Sequence, residues 1–257
     1  MKIEAKSAIS VLVSEANRDR IIFRKSSDEK LPIASITKLI TSLVVLENYD
    51  PSLPITVSEI FPVQNNDPGH LIAGEVYAAK SILYPLLIES SNEAAYSVAE
   101  VIGATNFVEL MNLEAKKIGM NNSYFINSSG IDPVNPENGI NYSTAEDLVA
   151  LVKYISKKPE IMEIISLKEY DLISADGIIH HKLSTTNELL EKSDRVIGGK
   201  TGQTPTARGC LLLLLRTPGQ NPDTKNKEYL INIILGSEDR FGEMEKLIDW
   251  EGKAYQW

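Results

Sequence analysis

Apolar and polar positions alternate at the start of the chain, so that Ser7 to Val13 and Arg20 to Phe23 read as two strands of a hairpin turning at EANRD. From Ser35 the period changes. Ile36, Leu39, Ile40, Leu43 and Val44 follow the i, i+3, i+4, i+7, i+8 spacing of a helix, and Val45 and Leu46 extend its apolar surface nearly all round. Such a helix is expected to be buried. Helical patterning continues to about Ser156, broken by loops such as QNNDPGH and SSGIDPVNPENGIN. Strands return at Val196 to Thr201, Gly209 to Arg216 and Tyr229 to Gly236, and a helix closes the chain over Phe241 to Trp250. The last two strands are near-continuous apolar runs, as expected for strands covered on both faces. The pattern predicts an α+β fold, a mainly antiparallel sheet built from both termini with a helical lobe inserted between. No repeat, low-complexity tract or linker divides it, so 1–257 is expected to be one domain, with a sheet lobe over 1–34 and 167–257 and a helical lobe over 35–166.

Composition narrows the function classes without choosing among them. With 257 residues, 43% of them hydrophobic, the chain can bury a sizeable core. A net charge of -9 argues against nucleic acid, which calls for a basic patch. No apolar run reaches the roughly 18 residues of a membrane-spanning helix. The single cysteine, Cys210, opens the apolar run CLLLLL; it excludes an internal disulfide and reads as a buried, inert thiol.

Three short motifs carry the chemistry: Ser35-Ile36-Thr37-Lys38, Ser90-Ser91-Asn92 and Lys200-Thr201-Gly202. Each is weak alone; in this order they describe a serine acyl-transfer site. Pro32 and the short residues of IAS place a helix start near Ser35, so Lys38 falls on the same face one turn on. Burial, and a second cation such as Lys200, would disfavour the ammonium of Lys38 and prepare it to take the proton of Ser35. No histidine is then required. The chain has three, His70, His180 and His181, and none stands in a nucleophile-elbow or metal-ligand setting; GIIHH reads as part of a strand or hairpin rather than a metal site. Ser90 to Asn92 lie in a polar break before EAAYSVAEVI, where a serine or asparagine ahead of Glu93 would also serve as a helix cap.

Beyond the motifs, the segments KLPIASITKLITSLVVLE, GEVYAAKSILYPLLIESSNEAAYSVAE, KKIGMNNSYFINSSGIDP, NYSTAEDLVALVKYI, HHKLSTTNELL and LGSEDRFGEMEKLIDW resemble the D-alanyl-D-alanine carboxypeptidases, low-molecular-mass penicillin-binding proteins of the serine D,D-peptidase family. The resemblance covers the chain from about Ala5 to Trp250. It implies the β-lactamase/transpeptidase-like fold and hydrolysis of peptidoglycan stem peptides ending in D-Ala-D-Ala, with no cofactor or metal and with inhibition by β-lactams. It also implies the residue roles. Ser35 would be acylated with Lys38 as general base, Ser90 would relay a proton towards the departing amine, and Asn92 would donate to the substrate. Lys200, Thr201 and Gly202 would line the sheet side, with Lys200 attracting the terminal carboxylate and Gly202 leaving room for substrate at the strand edge. The N-H groups of Ser35 and Gln203 would form the oxyanion hole. Arg240 would help hold the carboxylate, with an ion pair to Glu238 as the alternative.

Two residues depart from the commonest family pattern. Ser91 stands where Gly is usual in the second motif, and Arg208 where Gly is frequent after the third; both bear on substrate preference and deacylation. A D,D-endopeptidase and a silent penicillin- or peptidoglycan-binding module remain alternatives. A β-lactamase is disfavoured, because around NSSGIDPVNPENG the only acids are Asp132 and Glu137 and no Glu-x-x-Leu-Asn signature appears. The family works outside the cytoplasmic membrane. MKIEAKSAISVLV lacks the features of a signal peptide, so the chain is expected to start after a removed signal or anchor.

Overall fold

The computed structural model describes residues 1–14, 19–59, 70–174, 177, 179–219 and 228–255. Most of the EANRD turn and of the QNNDPGH loop lies outside these residues. In chain order the elements begin with strands β1 (Ser7–Val13), β2 (Arg20–Lys25) and β3 (Leu31–Pro32), a 3-10 turn Ala34–Thr37, and helix α1 (Lys38–Asn48). There follow β4 (Pro54–Thr56), β5 (Val76–Ala78), α2 (Ala79–Leu87), α3 (Asn92–Glu100), α4 (Ala104–Lys117), β6 (Tyr142–Ser143), α5 (Ala145–Ile155) and α6 (Pro159–Ser166). The chain closes with β7 (Glu169–Ile173), β8 (Ile179–Ser184), α7 (Leu189–Lys192), β9 (Val196–Thr204), β10 (Arg208–Arg216), β11 (Tyr229–Ser237) and α8 (Arg240–Ala254).

Five strands form one antiparallel sheet in the order β2-β1-β11-β10-β9, so the two ends of the chain meet at its centre, where Ile9 pairs with Ile233. The apolar runs of β10 and β11 are explained by what lies on either side. Cys210, Leu212, Leu214, Ile231 and Ile233 pack with the helices that follow β2, whereas Leu211, Leu213, Leu215, Leu230 and Ile234 pack with Met244 and Leu247 of α8. Alternate side chains therefore enter two separate cores, each fully buried aliphatic being worth roughly 1.5–3 kcal/mol.

The expected elements extend by a few residues, β9 to Thr204 and the closing helix to Arg240–Ala254. Asp239 explains the earlier start of α8, since its side chain accepts from Gly242 N. Two pairings lie inside the stretch read as helical, β3 with β6 and β4 with β5. His180 and His181 lie on β8, which among the described residues pairs only with β7, in a hairpin apart from the main sheet. None of the described helices is long and apolar enough to cross a membrane.

For the site, the position of β9 matters most. It is an edge strand, paired on one side with β10 so that Gly202 faces Cys210 and Lys200 faces Leu212, and packed against the 3-10 turn of Ser35.

Candidate active site

Ser35 sits in the 3-10 turn and Lys38 is the first residue of α1, a tighter entry than a helix starting at Ser35, with the same consequence for spacing. Lys38 Nζ lies 2.9 Å from Ser35 Oγ. The residue is fully buried, and the amine also donates to Asn92 Oδ1 at 2.7 Å and to the Ser129 carbonyl at 2.9 Å. These two oxygens can only accept. A neutral amine has two N-H bonds and one lone pair, so filling both acceptors aims the lone pair at the Ser35 hydroxyl. Position and direction of the Lys38 amine are thus set by the first motif, the second, and a loop the motifs do not include.

That loop is built by two asparagines. Asn127 Oδ1 accepts from Gly130 N at 2.7 Å, and the buried Asn141 donates to Thr37 Oγ1 at 3.1 Å and to the Asn127 carbonyl at 2.9 Å. Gly130 has φ +84°, and a Cβ there would come within 2.0 Å of the Ala34 carbonyl oxygen. Only glycine lets the loop press this closely on the 3-10 turn that holds Ser35. Ala34 itself has φ +47°, a left-handed conformation that costs a non-glycine residue roughly 1–3 kcal/mol and is held by these contacts.

Ser90 also has a left-handed backbone, φ +67°, and its Oγ accepts from Lys200 Nζ at 2.8 Å. Ser91 is the N-cap of α3: its side chain is buried, accepts from Ala94 N at 3.0 Å and donates to Glu93. Its hydroxyl is spent on the helix end rather than presented beside Ser90, so the departure from Gly here adds a cap that Gly could not supply.

On the sheet side Lys200 is buried, and besides Ser90 it bonds the Thr201 carbonyl at 3.1 Å. Burial first, then the charges of Lys38 and Arg240, hold its amine well below the usual lysine range. Among the described residues no carboxylate forms an ion pair with it. Thr201 shares a 2.5 Å contact with Thr186, placed between β8 and α7. The space a Cβ would take at Gly202 is already filled, 2.9 Å from the Ile33 carbonyl and 3.0 Å from Ser35 N. Glycine is therefore required by the close approach of β9 to the turn of Ser35.

Arg240 is half-buried and donates to the Gly202 carbonyl at 3.3 Å and to Gln203 Oε1 at 2.5 Å, while its guanidinium lies 4.9 Å from the Phe241 ring centre. Glu238 pairs instead with Arg208, at 2.8 Å. The alternative ion pair expected for Arg240 is thus taken by the neighbouring arginine. Arg208 is exposed with φ +57°, which accounts for the frequency of Gly at this turn: the left-handed conformation is one that Gly adopts freely.

Across residues 1–237 the chain matches the family described as D-alanyl-D-alanine carboxypeptidase. It belongs to that family. Over 263 residues it is 28% identical to a D-alanyl-D-alanine carboxypeptidase of Bacillus subtilis, covering 98% of this chain and 63% of that relative, so it spans less than two thirds of the relative's length. It is 30% identical over 250 residues to a D-alanyl-D-alanine endopeptidase of Pseudomonas aeruginosa, covering 94% of this chain and 76% of that one. Its structure resembles the ampicillin-bound penicillin-binding protein D2 of Listeria monocytogenes, with a TM-score of 0.79, 27% identity and 97% of each chain covered. The expected fold class is therefore found, the α+β fold of the penicillin-binding D,D-peptidases.

The motifs missed the Ser129 carbonyl, Asn127, Asn141, Gly130 and Thr186. NSSG and STTN were visible in the chain, but nothing in their spacing says that they face Lys38 and Thr201.

Proposed function

We propose that this chain acts outside the cytoplasmic membrane as a serine carboxypeptidase on peptidoglycan stem peptides ending in D-Ala-D-Ala, through an acyl-enzyme at Ser35. The observation that carries it is the set of three contacts at Lys38 Nζ, which fixes a lone pair on Ser35 Oγ once the amine is neutral. Lys38 takes the hydroxyl proton as Ser35 attacks the carbonyl between the two D-alanines. The proton returns to the departing D-alanine amine through Ser90, which Lys200 holds at 2.8 Å. Backbone N-H groups of Ser35 and Gln203 stabilise the oxyanion, the close packing of Gly202 on Ser35 bringing their two segments together. Asn92 and Thr201 orient the substrate, and water releases the acyl group.

The carboxylate of the last D-alanine has two candidate anchors. Lys200 is buried, depressed and bonded to Ser90, so it acts first on the proton path. Arg240, half-buried at the outer end of β9 with its Nε unpaired among the described residues, is the better placed cation. β-Lactams are inhibitors in this reading, because the acyl-enzyme they form lacks a dedicated deacylating glutamate. Asp132 accepts from Thr204 Oγ1 at 2.9 Å and from Thr206 N at 3.0 Å, which commits it to tying its loop to the β9–β10 turn.

A fluorescent penicillin should add one acyl mass at Ser35, and Ser35→Ala should abolish the adduct while leaving the fold intact; labelling retained in that variant, or mapped to another serine, sinks the assignment. The Pseudomonas aeruginosa relative motivates a parallel turnover assay on a cross-linked dimer. Faster cleavage of the dimer than of the free D-Ala-D-Ala peptide would make the endopeptidase reading the correct one.

A further inference from the structure

All three histidines of the chain gather with two carboxylates behind the second motif. Glu89, the residue before Ser90, is buried and has Oε2 3.1 Å from His181 Nε2. His181 Nδ1 lies 2.5 Å from His180 Nδ1, and His180 Nε2 lies 3.1 Å from Glu75 Oε1. Glu75 is fixed in turn by Tyr77, whose hydroxyl donates to Oε2 at 2.9 Å. His70 packs edge-on against His181 with ring centres 5.6 Å apart, and Glu93 of α3 is the other charged group acting on Glu89.

The contacts form a line, Glu89 to His181 to His180 to Glu75, and each needs one hydrogen between two heteroatoms. Two neutral imidazoles carry only two hydrogens. Completing the line takes one extra proton, and there is one arrangement in which both rings stay neutral and Glu75 stays ionised. The Glu89 hydroxyl donates to His181 Nε2, His181 Nδ1-H donates to His180 Nδ1, and His180 Nε2-H donates to Glu75. The electrostatics agree with it. Burial, reinforced by Glu93 and opposed by His70, raises the Glu89 carboxyl to about 7, while burial, opposed by Glu75, lowers His181.

This line ends on the residue whose neighbour most needs holding. The left-handed backbone of Ser90 persists only if the segments on either side of it are tied. Ser91 N donates to the Pro85 carbonyl at 3.0 Å, and the Ile88 carbonyl accepts from Thr186 N at 3.2 Å. Glu89 adds a side-chain tether to β8, just before Thr186. We propose that Glu89 and His181 are positioning residues for Ser90, and that a single proton shared along Glu89, His181, His180 and Glu75 sets how firmly Ser90 is held against Lys200. The inference rests on the acyl-transfer reading of the cleft. Removing the proton puts two acceptors face to face at one contact, and the tether loosens. The sign follows from linkage: a carboxyl raised from 4.5 to about 7 binds its proton more tightly in the folded chain, so this contribution is lost as pH rises through about 7.

Glu89→Gln tests it, because the amide N-H donates to His181 Nε2 at every pH. Acylation by a fluorescent penicillin should match wild type at about pH 6 and exceed it at least about threefold at about pH 8.5, where the wild-type line has lost its proton. His181→Ala should slow acylation most at the lower pH, where wild type is fully tethered. A ratio of Glu89→Gln to wild type that is flat with pH overturns the proposal, even where Ser35 labels normally. Failure of wild type to label at Ser35 overturns the acyl-transfer reading instead. In that case the melting temperature decides the line alone: it should fall with rising pH in wild type more steeply than in Glu89→Gln, and equal slopes overturn it.

Discussion

The two ends of helix α1 each gather lysines, and the surroundings treat them in opposite ways. At its start Lys38 is fully buried with Lys200 close enough to act on it, and Lys200 is driven well below the usual lysine range by burial and by the charge of Lys38. At its end Glu47 meets Lys158 at 2.8 Å, Lys117 at 3.0 Å and the Tyr154 hydroxyl at 2.7 Å. There the lysines move up, Lys117 through its bonds to Glu114 and Glu47 and Lys158 through its bond to Glu47. Burial acts to raise the Glu47 carboxyl, yet the three donors outweigh it and bring it down to about 2. The difference lies in the partners. Hydroxyl, amide and carbonyl oxygens position the Lys38 amine without demanding its charge, whereas a carboxylate demands it.

If this contrast is correct, the largest effect comes from Lys38→Arg. Guanidinium stays protonated and cannot serve as a base, so acylation should fall by about a hundredfold or more in a stopped-flow assay; near-normal rates would mean that another group takes the proton.

Lys200→Ala comes next. Losing a bond from a cationic or polar donor of roughly 1.5–3 kcal/mol should reduce turnover of a free D-Ala-D-Ala end by about one to two powers of ten. Comparing kcat/KM for the free acid and its amide in both proteins separates the roles. Equal loss on both substrates is expected for a residue on the proton path, and a loss confined to the free acid would restore Lys200 as the carboxylate anchor.

At the other end of α1, Glu47→Gln should leave acylation unchanged and lower stability by about 1 kcal/mol at neutral pH, a figure reduced for solvent screening. A depressed carboxyl stabilises above its ordinary 4.5, and the contribution disappears as pH falls towards about 2. The gap between the two proteins in urea melts should therefore narrow from about pH 7 to about pH 3, and a constant gap would break the contrast.

The smallest effect is expected at Arg208→Gly. Glycine fits the left-handed turn and only an exposed ion pair is lost, so stability should stay within about 0.5 kcal/mol and acylation within about twofold. A larger fall in acylation would give this exposed cation a part in the cleft.

What could be read from the chain follows the range of the signal. β1, β10, β11 and α1 were legible because their apolar periods run for seven or more residues and both neighbours are apolar. The pairs β3 with β6 and β4 with β5 have two or three residues a strand, too few to show any period. Ser35, Lys38, Ser90, Asn92 and Lys200 were legible as motifs, whereas the Ser129 carbonyl joins Lys38 across ninety-one positions and is a backbone atom that no side-chain pattern can announce. The run GIIHH reads as part of a strand or hairpin, where His180 and His181 do lie, but their line to Glu89 spans ninety-two positions and depends on how the β7–β8 hairpin lies beside α2.

Cys210 gives the molecule a clock. It is fully buried in β10, opposite Gly202, and burial lifts its thiol to about 11, so the native fold hides it from alkylating reagents both sterically and chemically. Being the only cysteine, it reports on one place, the pairing that carries the third motif. The rate at which a thiol reagent captures it measures how often β9 and β10 part. A covalent β-lactam bound across that strand edge should slow this clock, a readout of site occupancy that does not depend on catalysis.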